Sequence, residues 1–187
     1  MKWSPSTKEN VMRRIIAGAA FAVIAPLLAM IGSTSQKQTR DQEKGNLEII
    51  RLATEALNRG DLKAYVSYFA EDTKNFDRPV GREGIRRSIE DIFTTFPDYR
   101  HDIVEVIAKG DSVVLRCKTS GTHRGVGKLP LNGGMLVGVE PTQKRFEAQH
   151  IHWYKLRDGK IAEHTANRDD IGMMRQLGLL PPVGSPK

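Results

Sequence analysis

The chain has 187 residues, 39% of them hydrophobic and 27% charged, and a formal net charge of +7. These proportions fit one globular domain with an appendage. Lys2, Lys8, Arg13 and Arg14 against Glu9 put +3 of that charge in residues 1–35, and the remaining basic residues are interspersed with acids, which argues against a nucleic-acid partner. The single cysteine, Cys117, excludes an intrachain disulfide and a cysteine-based zinc site.

A basic stretch ending at Arg13-Arg14 precedes the uncharged run Ile15–Gly32, and the small residues Ser33 and Ser35 follow. This pattern fits a secretory signal peptide over residues 1–35, cleaved after Ser35. It also fits an uncleaved anchor, since eighteen uncharged residues just reach membrane-spanning length. Either reading puts the basic flank inside and the folded domain outside the cytoplasm, periplasmic, extracellular or membrane-anchored facing outward. Residues 36–45 are polar and read as a linker, 46–182 as the domain and 183–187 as a tail.

Within the domain, Leu47, Ile50, Ala53, Ala56 and Leu57 recur at helical spacing up to Gly60, and Asp61 is a good N-cap for a second helix carrying Leu62, Tyr65, Val66 and Phe69. A short strand is expected around Lys74–Asp77. A third helix should follow, burying Ile85, Ile89, Ile92, Phe93 and Phe96 and ending before Pro97. Strands are predicted at Ile103–Ile107, Ser112–Gly121, Arg145–Leu156 and Lys160–Ala166, with turns at Lys109-Gly-Asp111 and Arg157-Asp-Gly159. The Gly- and Pro-rich residues 122–143 read as a long loop, of which residues 125–143 are a candidate lid. Helices first and a strand meander afterwards predict an α+β domain, with the helices on one face of the sheet.

The corner Leu57-Asn-Arg-Gly-Asp-Leu62, the strand end Ser120-Gly-Thr-His-Arg-Gly125 and the final run from Glu163-His164 through Asp169 to Ile171-Gly172 resemble the SnoaL-like polyketide cyclases, also called ester cyclases, of the nuclear transport factor 2-like superfamily. The resemblance covers roughly residues 45–180. It implies a cone-shaped barrel in which three N-terminal helices pack against a strongly curved antiparallel sheet around a deep pocket, with a short helix after Asp169. It also implies a homodimer through the outer face of the sheet. One departure stands out: Thr165 occupies the place of the family's usual Trp after Glu-His.

The chemistry implied is acid/base catalysis on a small apolar carbonyl or ester ligand, with no cofactor. The resemblance puts Asp169 in the role of general acid/base, since a carboxylate in an apolar pocket has a raised pKa. From the residues alone, Asp169 and Asp170 equally read as caps of the last helix. His150 and His152 lie two apart on a strand and share a face with Phe146, Ala148, Tyr154 and Leu156, which suits a cavity wall with hydrogen-bonding groups. His152 is the candidate for polarising a substrate oxygen together with Asn75. His150, Tyr154 and His123, at the start of the mouth loop, are further candidate ligand contacts. No metal is expected, because the His150/His152 pair has no evident third ligand. His164 reads as structural. No phosphate loop, nucleophile elbow or dinucleotide fingerprint occurs. The alternatives to an enzyme of this kind are a non-catalytic small-molecule binding protein and an epoxide-hydrolase-like hydrolase on the same scaffold.

Overall fold

Gly60 adopts a φ of +69°, a left-handed conformation open to residues without a Cβ, and so ends the first helix where the sequence predicts. Asp61 then caps the second helix, its carboxylate accepting a hydrogen bond from Ala64 N at 2.9 Å. A computed structural model describes residues 34–130, 134–181 and 184, so the candidate signal or anchor segment lies outside the described residues. Residues 34–58 are helical (α1), including the polar stretch 36–45. The chain divides at residue 41 into two units. Of the first, residues 34–41 are described as exposed helix, with Thr39 Oγ1 donating to Ser35 O.

In the second unit α1 is followed by α2 (Leu62–Ser67), β1 (Phe69–Asn75), β2 (Arg78–Pro79), α3 (Gly81–Thr95), β3 (Arg100–Lys109), β4 (Ser112–Thr122), β5 (Arg145–Arg157), β6 (Lys160–Arg168) and α4 (Asp170–Gln176). Phe69, read as the last apolar residue of α2, instead opens β1. The six strands form one curved sheet in the order β2-β1-β6-β5-β4-β3. All neighbours are antiparallel except β1 and β6, which run parallel. The fold is therefore the expected α+β cone, with one parallel pair that local sequence does not encode.

β5 alternates buried and exposed residues along its whole length, so Phe146, Ala148, His150, His152, Tyr154 and Leu156 all face inward. Two apolar clusters fill the space between this face and the helices. One joins Ile50, Ala53 and Leu57 of α1 and Ile85 and Ile89 of α3 to Phe69, Leu115, Tyr154 and Ile161 of the sheet. The other gathers Phe96, Leu136, Phe146, Met173, Met174 and Leu177. Burying a side chain such as Phe69 or Phe146 stabilises the fold by about 3 kcal/mol. Ile92 and Phe93 are only half-buried; Ile92 borders the cavity described below.

The long loop is tied down at several points. The Asp91 carboxylate on α3 accepts hydrogen bonds from Lys128 N (2.9 Å) and Leu129 N (3.1 Å), and Leu136 is buried in the second cluster. No described residue of the loop lines the cavity.

Candidate active site

The cavity lies at the seam of the two clusters and has a volume of about 90 Å³. Its apolar wall comes from Phe69, Ile85 and Ile89 of the first cluster and Phe96, Phe146 and Met173 of the second. Its polar wall is made of Asn75, Tyr99, His101, His150, His152, Tyr154, His164 and Arg168. Four of the five histidines in the chain thus meet in one place.

Strand geometry puts them there. His150 and His152 point inward by the alternation of β5. In the β5–β6 ladder His150 pairs with Arg168 and Tyr154 with His164, so the inward positions of β6 are His164, Ala166 and Arg168. His101 arrives from β3 and is fixed from a distance. The Asn58 amide at the end of α1 donates to His101 O (2.7 Å) and accepts from His101 N (2.8 Å).

The side chains form a directed chain of hydrogen bonds. Asn75 Oδ1 can only accept, so His164 Nδ1, 2.8 Å away, carries a proton and donates to it. Burial, and then the nearby positive charge of Arg168, lowers the His164 pKa to about 4, so the ring is neutral and its Nε2 bears a lone pair. His152 Nδ1 lies 2.9 Å from that Nε2 and must donate. His152 is held well below its ordinary pKa by burial, reinforced by His101, His164 and His150, and is neutral as well. Its Nε2 is therefore unprotonated, and it is buried with no partner among the described residues.

His150 Nδ1 and Nε2 are also buried without partners, and its pKa falls to about 4, chiefly by burial and then by Arg168, against an opposing pull from Asp169. Since a neutral imidazole always keeps one N–H, His150 offers an unsatisfied donor in either tautomer. His101 is lowered to about 3 by burial and by His150 and His164; its Nε2 lies 2.9 Å from Tyr99 Oη. Buried polar atoms are nearly always paired, and groups left orphaned beside a cavity are the ones a ligand would satisfy.

Of the residues predicted from sequence, Asn75, His150, His152 and Tyr154 line the cavity, and Asp169 and His123 do not. Asp169 is the N-cap of α4: its Oδ1 accepts from Gly172 N at 2.8 Å and the residue is exposed. A Cβ on Gly172 would sit 2.1 Å from Asp169 Oδ2, so the Asp-x-x-Gly spacing serves the cap, which lets the carboxylate fold against the helix end. The expectation that Asp169 points into the cavity is corrected on this ground. We expect Asp169→Asn to leave melting temperature nearly unchanged, because Asn caps as well as Asp, and Asp169→Ala to cost about 1 kcal/mol. Thermal melts of the two variants check this.

His123 is buried beneath the 122–143 loop. Thr142 N donates to its Nδ1 at 3.3 Å, its main chain pairs with Gln143 and Lys144, and its ring packs 5.7 Å from that of Phe96. It anchors the loop and does not face the cavity. Sequence reasoning missed Tyr99, His101 and Arg168 and took His164 for structure. The alternation of β6 would have found Arg168, two residues beyond Ala166 on the face of His164.

Among the described residues one group could approach a metal. The ligand atoms of buried His101, Cys117 and His152 all lie within 4.8 Å of one another. The third side chain that the His150/His152 pair lacked in sequence is thus present for His152. Zinc with one sulfur and two nitrogen ligands needs separations of roughly 3.6 Å, and burial raises the Cys117 pKa, which favours the thiol.

A model of the SnoaL-like polyketide cyclase family matches residues 47–177. The chain belongs to this family. Over 135 residues the SnoaL-like chain is 30% identical to the aklanonic acid methyl ester cyclase AcmA of Streptomyces galilaeus, covering 69% of this chain and 88% of that protein. A shorter match, 44% identical over 45 residues, covers 24% of this chain and 34% of the nogalonic acid methyl ester cyclase of Streptomyces nogalater. It thus spans about a third of that relative's length. Among solved structures, IdmH of Streptomyces antibioticus superimposes with a TM-score of 0.59 at 28% identity, over 71% of this chain and 98% of that one. AclR of Streptomyces galilaeus gives 0.63 at 24% identity, over 74% and 99%, and shows the shared fold.

Proposed function

We propose that this SnoaL-like domain is a cofactor-independent cyclase or isomerase that moves a proton on a small carbonyl or ester compound, outside the cytoplasm. The observation that carries this reading is the set of orphaned imidazole nitrogens on one wall of a cavity that is otherwise apolar. His152 Nε2 supplies the lone pair that takes a proton from the carbon next to a carbonyl. The electron pair left behind forms an enolate, whose oxygen accepts a hydrogen bond from the His150 N–H. In a ring closure the enolate carbon attacks a second carbonyl of the same molecule, and the resulting alkoxide takes the proton back from His152. No electrons enter or leave, so no redox cofactor is called on.

The chain of hydrogen bonds to His164 and Asn75 supports the charge formed on His152. Once protonated, its Nδ1–H donates more strongly to His164, and charge-assisted bonds are roughly twice as strong as neutral ones. The depressed pKa values keep the resting imidazoles neutral at neutral pH, so the base is unprotonated before substrate enters. The cavity volume sets the scale of the reacting part. About 90 Å³ is smaller than the roughly 150 Å³ site that holds benzene in an engineered cavity, which suits a small acyclic group.

The test is exchange of carbon-bound hydrogen for deuterium in D₂O, followed by NMR on methyl acetoacetate as the probe. The full chain should raise the exchange rate well above the buffer background. A rate equal to background on this and related ketones would leave the domain as a binding protein.

A further inference from the structure

Arg168 is the one permanently charged side chain among the described residues of the cavity wall. The imidazoles around it are neutral, and burial drives the Tyr99 and Tyr154 pKa values upward so that both phenols stay protonated. The Arg168 guanidinium lies over the Phe76 ring at 5.6 Å. That ring is delivered by a tight β1–β2 turn in which Phe76 and Asp77 take φ values of +49° and +60°. Bulky residues rarely accept this conformation, so the turn sets Phe76 beneath the cation at some cost in strain.

The arginine is only partly engaged. Its Nη2 meets Asp170 Oδ2 at 3.3 Å, longer than the 2.7–2.9 Å of a strong charge-assisted bond, and Asp170 Oδ1 is buried without a partner. Nη1 and Nε have no hydrogen-bond partner among the described residues. The charged groups that bear on the site are therefore Arg168, Asp170 and the Asp169 carboxylate at the helix cap, with His150 opposite Arg168 in the strand register. Planar guanidinium bound along one edge still presents a second edge to a carboxylate.

We propose that Arg168 is a substrate-binding residue and that the natural ligand is a small organic acid bearing a carbonyl next to or near its carboxylate, a keto acid. With the carboxylate on Arg168, the register places the next carbons beside His150 and His152, where the carbonyl oxygen and the acidic C–H meet the orphaned nitrogens. This rests on the proton-transfer reading above and adds the substrate class to it. It also separates this chain from its curated relatives, which are named for methyl esters.

Acetoacetate and methyl acetoacetate form the matched probe pair, differing in charge and carrying the same ketone. Binding to the full chain is followed by NMR shifts of the His150 and His152 ring protons. Acetoacetate should bind at least about 10-fold more tightly than the ester, and Arg168→Met should bring the two within about 2-fold, with Arg168→Lys restoring part of the preference. Arg168→Gln, which keeps hydrogen-bonding capacity, serves as a second neutral variant if the Met variant melts early. Equal or tighter binding of the ester by the wild-type chain, or a preference that survives in both neutral variants, overturns the proposal. Deuterium exchange separates the two readings. Exchange of the ester without acid preference sinks the arginine assignment alone, and acid preference without exchange of either probe sinks the proton-transfer reading alone.

Discussion

Between about pH 6.5 and pH 4 the domain should lose a large part of its stability, and it should do so by taking up protons on histidine. An unfolded histidine has a pKa near 6.5. In the folded domain His150 and His164 are held at about 4 and His101 at about 3, each first of all by burial, and His152 is also displaced well downward. A depressed histidine binds fewer protons folded than unfolded, so its contribution is complete above about pH 6.5 and disappears as pH falls toward the folded value. By about pH 5, His150 and His164 should each have cost about 2 kcal/mol. Domains of this size have only about 5–15 kcal/mol to lose.

Each such group adds ~1.4 kcal/mol per pH unit to the slope within the window. Urea unfolding at several pH values should give a slope that steepens to about 5.5 kcal/mol per pH unit, equivalent to roughly four protons. His150→Leu should flatten the slope by one proton and raise the urea midpoint at about pH 5 relative to wild type. A stability that stays flat from pH 7 to 5 would mean the cluster is hydrated and already exchanging protons.

The second large effect concerns His152. Replacing a general base costs about 100- to 10,000-fold in rate, so His152→Gln should reduce deuterium exchange by that factor while acetoacetate still binds through Arg168. Asn75→Leu should act more mildly, about 10-fold, because it removes the acceptor that sets the His164 and His152 tautomers and leaves the base itself in place. Nitrogen-15 spectra of the imidazoles tell this positioning role from a structural one. In the wild type His152 should show a protonated Nδ1 and a bare Nε2; in Asn75→Leu the two forms should mix. Bare Nε2 in both proteins would disconnect Asn75 from the relay.

How much of this was legible in the sequence depends on how far apart the interacting residues are. The alternation Phe146, Ala148, His150, His152, Tyr154 and Leu156 is local, and it correctly set one wall of the cavity. The cap of α4 is also local, yet it misled. A carboxylate three residues before a glycine reads the same whether it caps a helix or enters a pocket, and only the position of its Oδ1 against Gly172 N decides. His101 could not have been found, since its place depends on Asn58, 43 residues earlier. The parallel pairing of β1 with β6 is hidden for the same reason. His164 was visible in the right strand, and its role turned on Asn75, 89 residues away.

The β1–β2 turn bears on how this protein could be improved or diversified. Two-residue turns of this left-handed kind are most comfortable with Asn-Gly or Asp-Gly, and Phe76-Asp77 gives up about 1 kcal/mol or more relative to that choice. An engineer seeking a hardier scaffold would change Phe76 first, and would thereby remove the ring under Arg168 along with the strain. Thermal robustness and ligand selectivity are coupled at this position. The turn is also an exposed two-residue splice that leaves the sheet register intact, which makes it a convenient place to graft a different side chain against the cavity wall, which Phe76 helps to line.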